Sequence, residues 1–173
     1  ANNRFEVAAA LNAELSDGGP GPFWNCPPGK ATVTLTQHKP SFNGRGFGEW
    51  RIVEQRLKSR GIQSPWKLYT SGSVGSQALV GLPAIHRLLT APELADRSRL
   101  WPFETGWDGF LDGIIHAEIW PSLGDVEGQP YAIKDARQVA AMRDWVLELD
   151  GSGALGRWFA RPAGLSRREE RIC

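Results

Sequence analysis

Cysteine is scarce in this chain of 173 residues, which contains Cys26 and Cys173 alone. One lies in a proline-rich segment and the other is the last residue, so the sequence excludes a disulfide framework and a cysteine cluster with metal-ligand spacing. Cysteine usage of this kind fits a reducing compartment, and we predict a cytoplasmic protein. Apolar runs of membrane-spanning length are also lacking, so we predict no membrane partner.

A large charge of one sign is lacking as well. The chain has 20 Lys and Arg residues against 19 Asp and Glu residues, and its formal net charge is +1. This balance argues against a broad basic surface for duplex DNA and leaves a local basic patch open. Tryptophan, by contrast, is abundant, with eight residues. Its rings add core area when they are buried and can stack on bases when they are exposed.

Helical and strand-like patterns alternate along the chain. This alternation predicts a single α/β domain over residues 1–173, with a charged tail from about residue 161. Asn3 and Glu6 fit a capping box at the start of the first helix. The predicted helices cover 3–15, 48–60, 73–79, 83–89 and 135–149, with a break at Gly81–Pro83, and the predicted strands cover 31–36, 66–70, 100–103 and 114–120.

Two glutamates lie at the ends of the last two predicted strands. Glu104 follows the predicted strand over 100–103. In the predicted strand over 114–120, alternation places Glu118 and His116 on the same face. Carboxylates that converge from neighbouring strands can hold Mg²⁺ or Mn²⁺, and two such cations cleave phosphodiesters. We therefore predict Glu104, Glu118 and His116 as catalytic residues, with His116 positioning a water molecule or the leaving group. The alternative is that both glutamates form ion pairs at the rim of the sheet.

Asp135 is the third predicted metal ligand beside Glu104 and Glu118. It lies four residues before Val139, on the stripe of its helix that the pattern turns inward. The alternative is local, because Asp135 and Gln138 fit an N-cap and the third helical position. Capping is the favoured interpretation, since aspartate is among the preferred N-cap residues.

A glycine- and serine-rich turn connects a predicted strand to a predicted helix. We predict Gly72, Ser73, Gly75 and Ser76 as an anion-binding turn, because glycines permit close approach and free helix amides attract phosphate. The turn lacks the Lys-Ser/Thr pair of a P-loop, the dinucleotide-binding glycine spacing and the Gly-x-Ser-x-Gly elbow. A helix-entry turn packed against another backbone is the alternative. The predicted partner is a phosphorylated small molecule.

Six segments of the chain resemble one protein family: NNRFEVAAALN, GPFWNCP, WKLYTSGSVGSQALVGLP, WPFETG, AEIWPSL and KDARQVAAMRDW. Over nearly all its length the chain resembles an uncharacterised bacterial family, whose members are sometimes labelled cobalamin or molybdopterin-guanine-dinucleotide biosynthesis proteins. That family is similar to predicted nucleases with a ribonuclease-H-like fold. The resemblance implies a ribonuclease-H-like mixed sheet with flanking helices and a nuclease-like hydrolase that uses Mg or Mn on nucleic acid. It also implies the alternative, a non-catalytic module that binds a phosphorylated ligand in cofactor biosynthesis.

Members of that family carry a further N-terminal segment, with a strand that bears an Asp-Trp-Ser motif. The first strand of a ribonuclease-H-like fold supplies a central metal-binding aspartate. The resemblance therefore implies that this chain is a C-terminal portion that lacks the N-terminal strands. Glu104, Glu118 and Asp135 would then form an incomplete site, and an uncovered sheet edge favours self-association.

Overall fold

The structure, a computed structural model, describes residues 2–42, 46, 48–57, 61–107 and 112–166. Its secondary structure is mixed α and β, which confirms the α/β class. The chain divides into two compact units, one within Ala1–Arg87 and the other within Leu88–Arg171. Among the described residues, no helix combines the length and the apolar character that a membrane span requires. The helices and strands are α1 Arg4–Leu15, α2 Ile52–Leu57, α3 Gly75–Thr90, β1 Ser98–Leu100, β2 Ile114–His116, α4 Lys134–Gly151 and α5 Gly156–Phe159.

A small apolar core fills the first unit. Phe5 and Ala8 reach it from α1, whereas Leu15, at the end of the same helix, is exposed. The free thiol of Cys26 is also buried there, and the loss of solvent raises its pKa, which favours the unreactive protonated form. The buried members of this core are Phe5, Ala8, Phe23, Cys26, Leu35 and Leu68.

Asn12 is a polar residue at the centre of this core, and it is 0% exposed. Its side-chain amide donates to the carbonyl oxygens of Phe23, at 2.8 Å, and Thr34, at 2.7 Å. Its side-chain oxygen accepts from the Phe23 backbone N–H at 2.9 Å. Asn12 thus satisfies backbone groups of two irregular segments and joins both to α1.

Two predicted strands of the first unit are wrong. Residues 31–36 bend, because the Thr32 backbone N–H donates to the Leu35 carbonyl oxygen and the Leu35 N–H donates to the Thr32 hydroxyl oxygen, each at 2.9 Å. The threonine side chain here competes with a sheet ladder for the backbone. Within 66–70, the pairing is reduced to one isolated parallel bridge between Trp24 and Lys67.

The predicted helix break at Gly81–Pro83 is also wrong, since α3 continues through Pro83. A proline inside a helix removes its own N–H and leaves the carbonyl of the residue four positions earlier without that donor. Pro83 is exposed, so water can satisfy the Leu79 carbonyl on this side of the helix. Of the predicted helix over 48–60, α2 occupies Ile52–Leu57, and residues 58–60 lie outside the described residues.

Alanine substitutions at two glycines of α3 are expected to have opposite effects on stability. At Gly75, an ideal Cβ would lie 2.8 Å from the Lys67 carbonyl oxygen and 3.0 Å from that of Pro65. Gly75→Ala should therefore lower the free energy of unfolding by about 1–3 kcal/mol. In the described part of the chain, nothing approaches the Cβ position of Gly81 within 4 Å, so Gly81→Ala should raise it by about 0.5–1 kcal/mol. Urea denaturation of both variants checks this pair, and equal effects would contradict the close approach at Gly75.

The second unit contains a parallel pair of strands, and both are shorter than predicted. β1 ends before Trp101-Pro102, because proline has no N–H to continue a ladder. β2 ends at His116, and Glu118 lies beyond it, outside the sheet. The prediction that Glu118 shares a strand face with His116 is therefore wrong. The register pairs Ser98 with Ile114, Arg99 with Ile115 and Leu100 with His116.

Aromatic rings of the second unit meet edge to face. The Trp101 ring centroid lies 4.9 Å from that of Trp107 and 5.6 Å from that of Phe159. The Trp145 and Trp158 centroids are 4.7 Å apart. Since Trp158 and Phe159 both belong to α5, this short helix is held by two separate ring contacts.

The helix α4 confirms the longest predicted helix but not the inward position of Val139. The buried residues are Ala140, Ala141 and Met142, whereas Val139 is exposed. Asp135, one turn before Val139, is exposed as well, so its predicted inward position is wrong. The N-cap residue is Ile133 and no side chain caps the helix, so the capping interpretation of Asp135 is also wrong.

Candidate functional site

The parallel pairing of β1 and β2 determines where the predicted acidic residues lie. Both strands run in the same direction, so the segments that follow them leave from the same edge of the sheet. Glu104 follows β1 and Glu118 follows β2, and both residues are exposed. Asp135 lies separately, in the first turn of α4.

Glu104 also closes a local turn. Its carboxylate accepts a hydrogen bond from the Leu100 backbone N–H at 2.7 Å, and its own N–H donates to the Leu100 carbonyl oxygen at 2.8 Å. A carboxylate in this position stabilises the chain reversal after β1. One of its two oxygens is thereby engaged by the backbone.

His116 pairs with a serine on the neighbouring strand. The His116 Nε2 atom lies 3.1 Å from the Ser98 hydroxyl oxygen, and Ser98 is buried. A buried hydroxyl needs a partner, and His116 supplies it. Within the described ranges, no group of three or more His, Cys, Asp or Glu side chains is close enough to hold a metal ion.

The predicted anion-binding turn is held by its own hydrogen bonds. The Ser73 N–H donates to the Thr70 carbonyl oxygen at 3.2 Å, and the Ser73 hydroxyl donates to the Tyr69 carbonyl oxygen. The Gly75 N–H donates to the Lys67 carbonyl oxygen at 2.9 Å, and the Ser76 hydroxyl donates to that of Leu68 at 3.2 Å. Gly72 has a φ of 78°, which glycine adopts without strain. These hydrogen bonds stabilise the turn itself. They agree with the alternative interpretation, in which the turn is a helix entry packed against another backbone.

The same turn forms one wall of an open cleft of about 490 Å³. Of the four predicted anion-binding residues, Ser73 and Ser76 line the cleft. The sequence prediction did not include Arg4 and Tyr69, which α1 and the segment before the turn bring to it. The lining residues in the described part of the chain are Arg4, Leu68, Tyr69, Thr70, Ser73, Ser76 and Gln77.

Arg4 is the charged residue of this cleft, and Phe5 fixes its position. The guanidinium carbon lies 4.5 Å above the centre of the Phe5 ring, a cation–π geometry. The Arg4 Nε atom is buried, and no acceptor for it lies in the described part of the chain. The neighbouring carboxylate of α1, Glu6, is paired instead with Lys30 at 2.6 Å, which lowers the Glu6 pKa.

The backbone at the base of the cleft is held in an uncommon conformation. Thr70 has a φ of 73°, where a β-branched residue is an outlier. Asn25, which also has a positive φ, donates from its side-chain amide to the Tyr69 carbonyl oxygen at 3.0 Å. Strained residues of this kind persist where the surrounding structure holds them, and they cluster at ligand sites.

No protein-family model, curated protein or solved structure matches this chain. The resemblance to predicted nucleases therefore stays a prediction. The assignment of a function depends on the geometry of the Arg4 cleft and of the β1–β2 edge.

One feature of α1 could have indicated Arg4 from sequence. A cation in the first turn of a helix is unfavourable beside the positive end of the helix dipole, and Arg4 is the first residue of α1. Such a residue indicates a role outside its own helix. No comparable signal marks Tyr69, because its place beside Arg4 depends on tertiary packing.

Proposed function

We propose that this chain binds a phosphorylated small molecule in the Arg4 cleft. The observation that carries the proposal is Arg4, a residue of the cleft lining whose guanidinium carbon is held 4.5 Å above the centre of the Phe5 ring. Among the described lining residues it is the one cation, so it is the group to which an anionic oxygen would bind. Arginine is the residue best suited to phosphate, because its planar fork matches two phosphate oxygens.

Two helix N-termini add to the positive potential of the cleft. Arg4 is the first residue of α1, while Ser76 and Gln77 lie in the first turn of α3. The positive ends of both helix dipoles therefore border the same space. The lining residues that the structure describes include no carboxylate that would offset this potential. The volume of about 490 Å³ also falls in the usual range of small-molecule sites.

Removal of the Arg4 charge should weaken binding of a phosphomonoester. Ribose 5-phosphate is a suitable probe, and isothermal titration calorimetry gives its Kd. Arg4→Gln should raise the Kd roughly ten- to hundredfold, because hydrogen bonds to charged groups contribute about 1.5–3 kcal/mol. Arg87→Gln is the matched control, since Arg87 is an exposed arginine of α3 outside the cleft lining. Absence of saturable binding, or equal affinity for the two variants, would overturn the proposal.

The β1–β2 edge supports a second candidate, metal-dependent hydrolysis of phosphodiesters in a ribonuclease-H-like fold. The supporting observation is the parallel pairing, which directs the segments of Glu104 and Glu118 to one edge of the sheet. Two carboxylates could share Mg²⁺ or Mn²⁺ there, and such a cation would activate water and stabilise the leaving oxygen. This candidate requires saturable Mn²⁺ binding that Glu118→Gln weakens, with nucleic acid as the substrate. The Arg4 cleft has the stronger support, because a guanidinium and the N-terminal turns of two helices border it.

A further inference from the structure

The charge in the Arg4 cleft limits the charge of its ligand. Among the described residues that line the cleft, Arg4 alone is ionic, and its neighbours Thr70, Ser73, Ser76 and Gln77 are neutral. The hydroxyls of Ser73 and Ser76 already donate to backbone carbonyl oxygens. One guanidinium can form paired hydrogen bonds with one phosphate group, and further phosphates would find no second cation among the described residues of the cleft.

Tyr69 gives the cleft an aromatic wall beside that single cation. Its side chain is 42% exposed, whereas the preceding residue, Leu68, is 2% exposed and belongs to the core. The Tyr69 ring meets the Phe5 ring edge to face, with centroids 6.2 Å apart. An aromatic ring that is packed on one side and open on another can stack on a planar ligand ring.

The backbone holds Tyr69 in place before any ligand arrives. The Tyr69 carbonyl oxygen accepts from the Asn25 amide at 3.0 Å and also from the Ser73 hydroxyl. The next residue, Thr70, adopts a φ of 73°, which this network maintains. A tyrosine in a fixed segment loses little conformational freedom when it binds, so its contact area contributes to affinity.

We infer that the ligand is a nucleoside monophosphate, with its phosphate at Arg4 and its base against Tyr69. This inference rests on the proposed function, because it assigns the phosphate to the same guanidinium. It goes further in two respects: the ligand carries a planar ring, and it carries one phosphate.

The experiment compares adenosine 5′-monophosphate, ribose 5-phosphate and ATP by calorimetry on the full chain. The contact with the Tyr69 ring should make adenosine 5′-monophosphate bind at least about tenfold more tightly than ribose 5-phosphate. Tyr69→Ala should remove this difference, while Tyr69→Phe should retain it, because stacking needs the ring and not the hydroxyl. ATP should bind no more tightly than adenosine 5′-monophosphate.

The outcomes separate this inference from the function on which it rests. Equal affinity for adenosine 5′-monophosphate and ribose 5-phosphate would refute the contact between the ligand base and Tyr69. A difference that persists in Tyr69→Ala would refute it as well. Neither result would affect the proposal that the cleft binds phosphate. Tighter binding of ATP would overturn the limit to one phosphate. If none of the three compounds binds, both the inference and the proposed function fail. Circular dichroism of each variant establishes that it is folded.

Discussion

Asn12→Ala should lower the free energy of unfolding by roughly 3–5 kcal/mol, because each buried polar group left without a partner costs about 1–3 kcal/mol. Two groups lose their partner at once, the Phe23 carbonyl and the Phe23 N–H, while the Thr34 carbonyl loses one donor and keeps the Gly21 N–H at 3.1 Å. Asn12 itself is 0% exposed, so water cannot replace its amide without opening the core. Urea denaturation followed by tryptophan fluorescence gives the size of the loss.

Asn3→Ala provides the matched control for Asn12. Asn3 precedes α1, is exposed, and makes no side-chain cap hydrogen bond. Its replacement should change the free energy of unfolding by less than about 0.5 kcal/mol. An Asn12→Ala variant as stable as Asn3→Ala would show that the buried amide does not hold the two segments to α1.

Gly113→Ala should destabilise the second unit by about 3 kcal/mol or more, since it combines backbone strain with a steric clash. Gly113 has a φ of 93°, and an ideal Cβ there would lie 2.4 Å from the Arg97 carbonyl oxygen. Arg97 and Gly113 immediately precede β1 and β2, so the clash lies where the two strands begin to pair. A separation of the strands would also displace the segments that carry Glu104 and Glu118.

Gly128→Ala isolates the cost of the backbone conformation alone. Gly128 has a φ of 77°, and within the described residues nothing lies within 4 Å of its Cβ position. Its replacement should cost about 1–2 kcal/mol, the penalty of a left-handed conformation for an ordinary residue. Thermal unfolding of both variants measures the difference. Equal losses would mean that the backbone near Arg97 moves away at little cost.

The long periodic helices could be predicted from sequence, and the short strands could not. The helices α1 and α4 lie within about two residues of their predicted bounds, although Leu15 and Val139 are exposed, because a long run of residues that favour a helix is a local signal. The strands β1 and β2 have three residues each, and their limits depend on Pro102 and on each other. Thr32 shows the same dependence, since its side-chain hydrogen bond turns a strand-like sequence into a bend.

The candidate site was predicted in part. Ser73 and Ser76 lie at the predicted turn and line the cleft, but their hydroxyls support the turn itself. The cation and the ring of the cleft, Arg4 and Tyr69, are far apart in the chain. Their proximity follows from the packing of α1 against the core, which no local pattern encodes. The predicted inward position of Asp135 was wrong, because Ala140, Ala141 and Met142 are the buried residues of α4 and Val139 is exposed.

Because Arg4 is the first residue of α1, the proposed ligand would bind only to molecules in which the first turn of α1 is closed. The first turn of a helix opens at lower free energy than its middle, and opening the first turn of α1 would withdraw the guanidinium while Asn12 still holds the rest. The apparent affinity of the cleft is then the intrinsic affinity multiplied by the closed fraction. Phe5 and the Glu6–Lys30 ion pair both favour the closed turn. Because the Glu6 pKa is lowered, this pair contributes at neutral pH and is lost as the pH falls through that lowered value, so acid reduces the closed fraction.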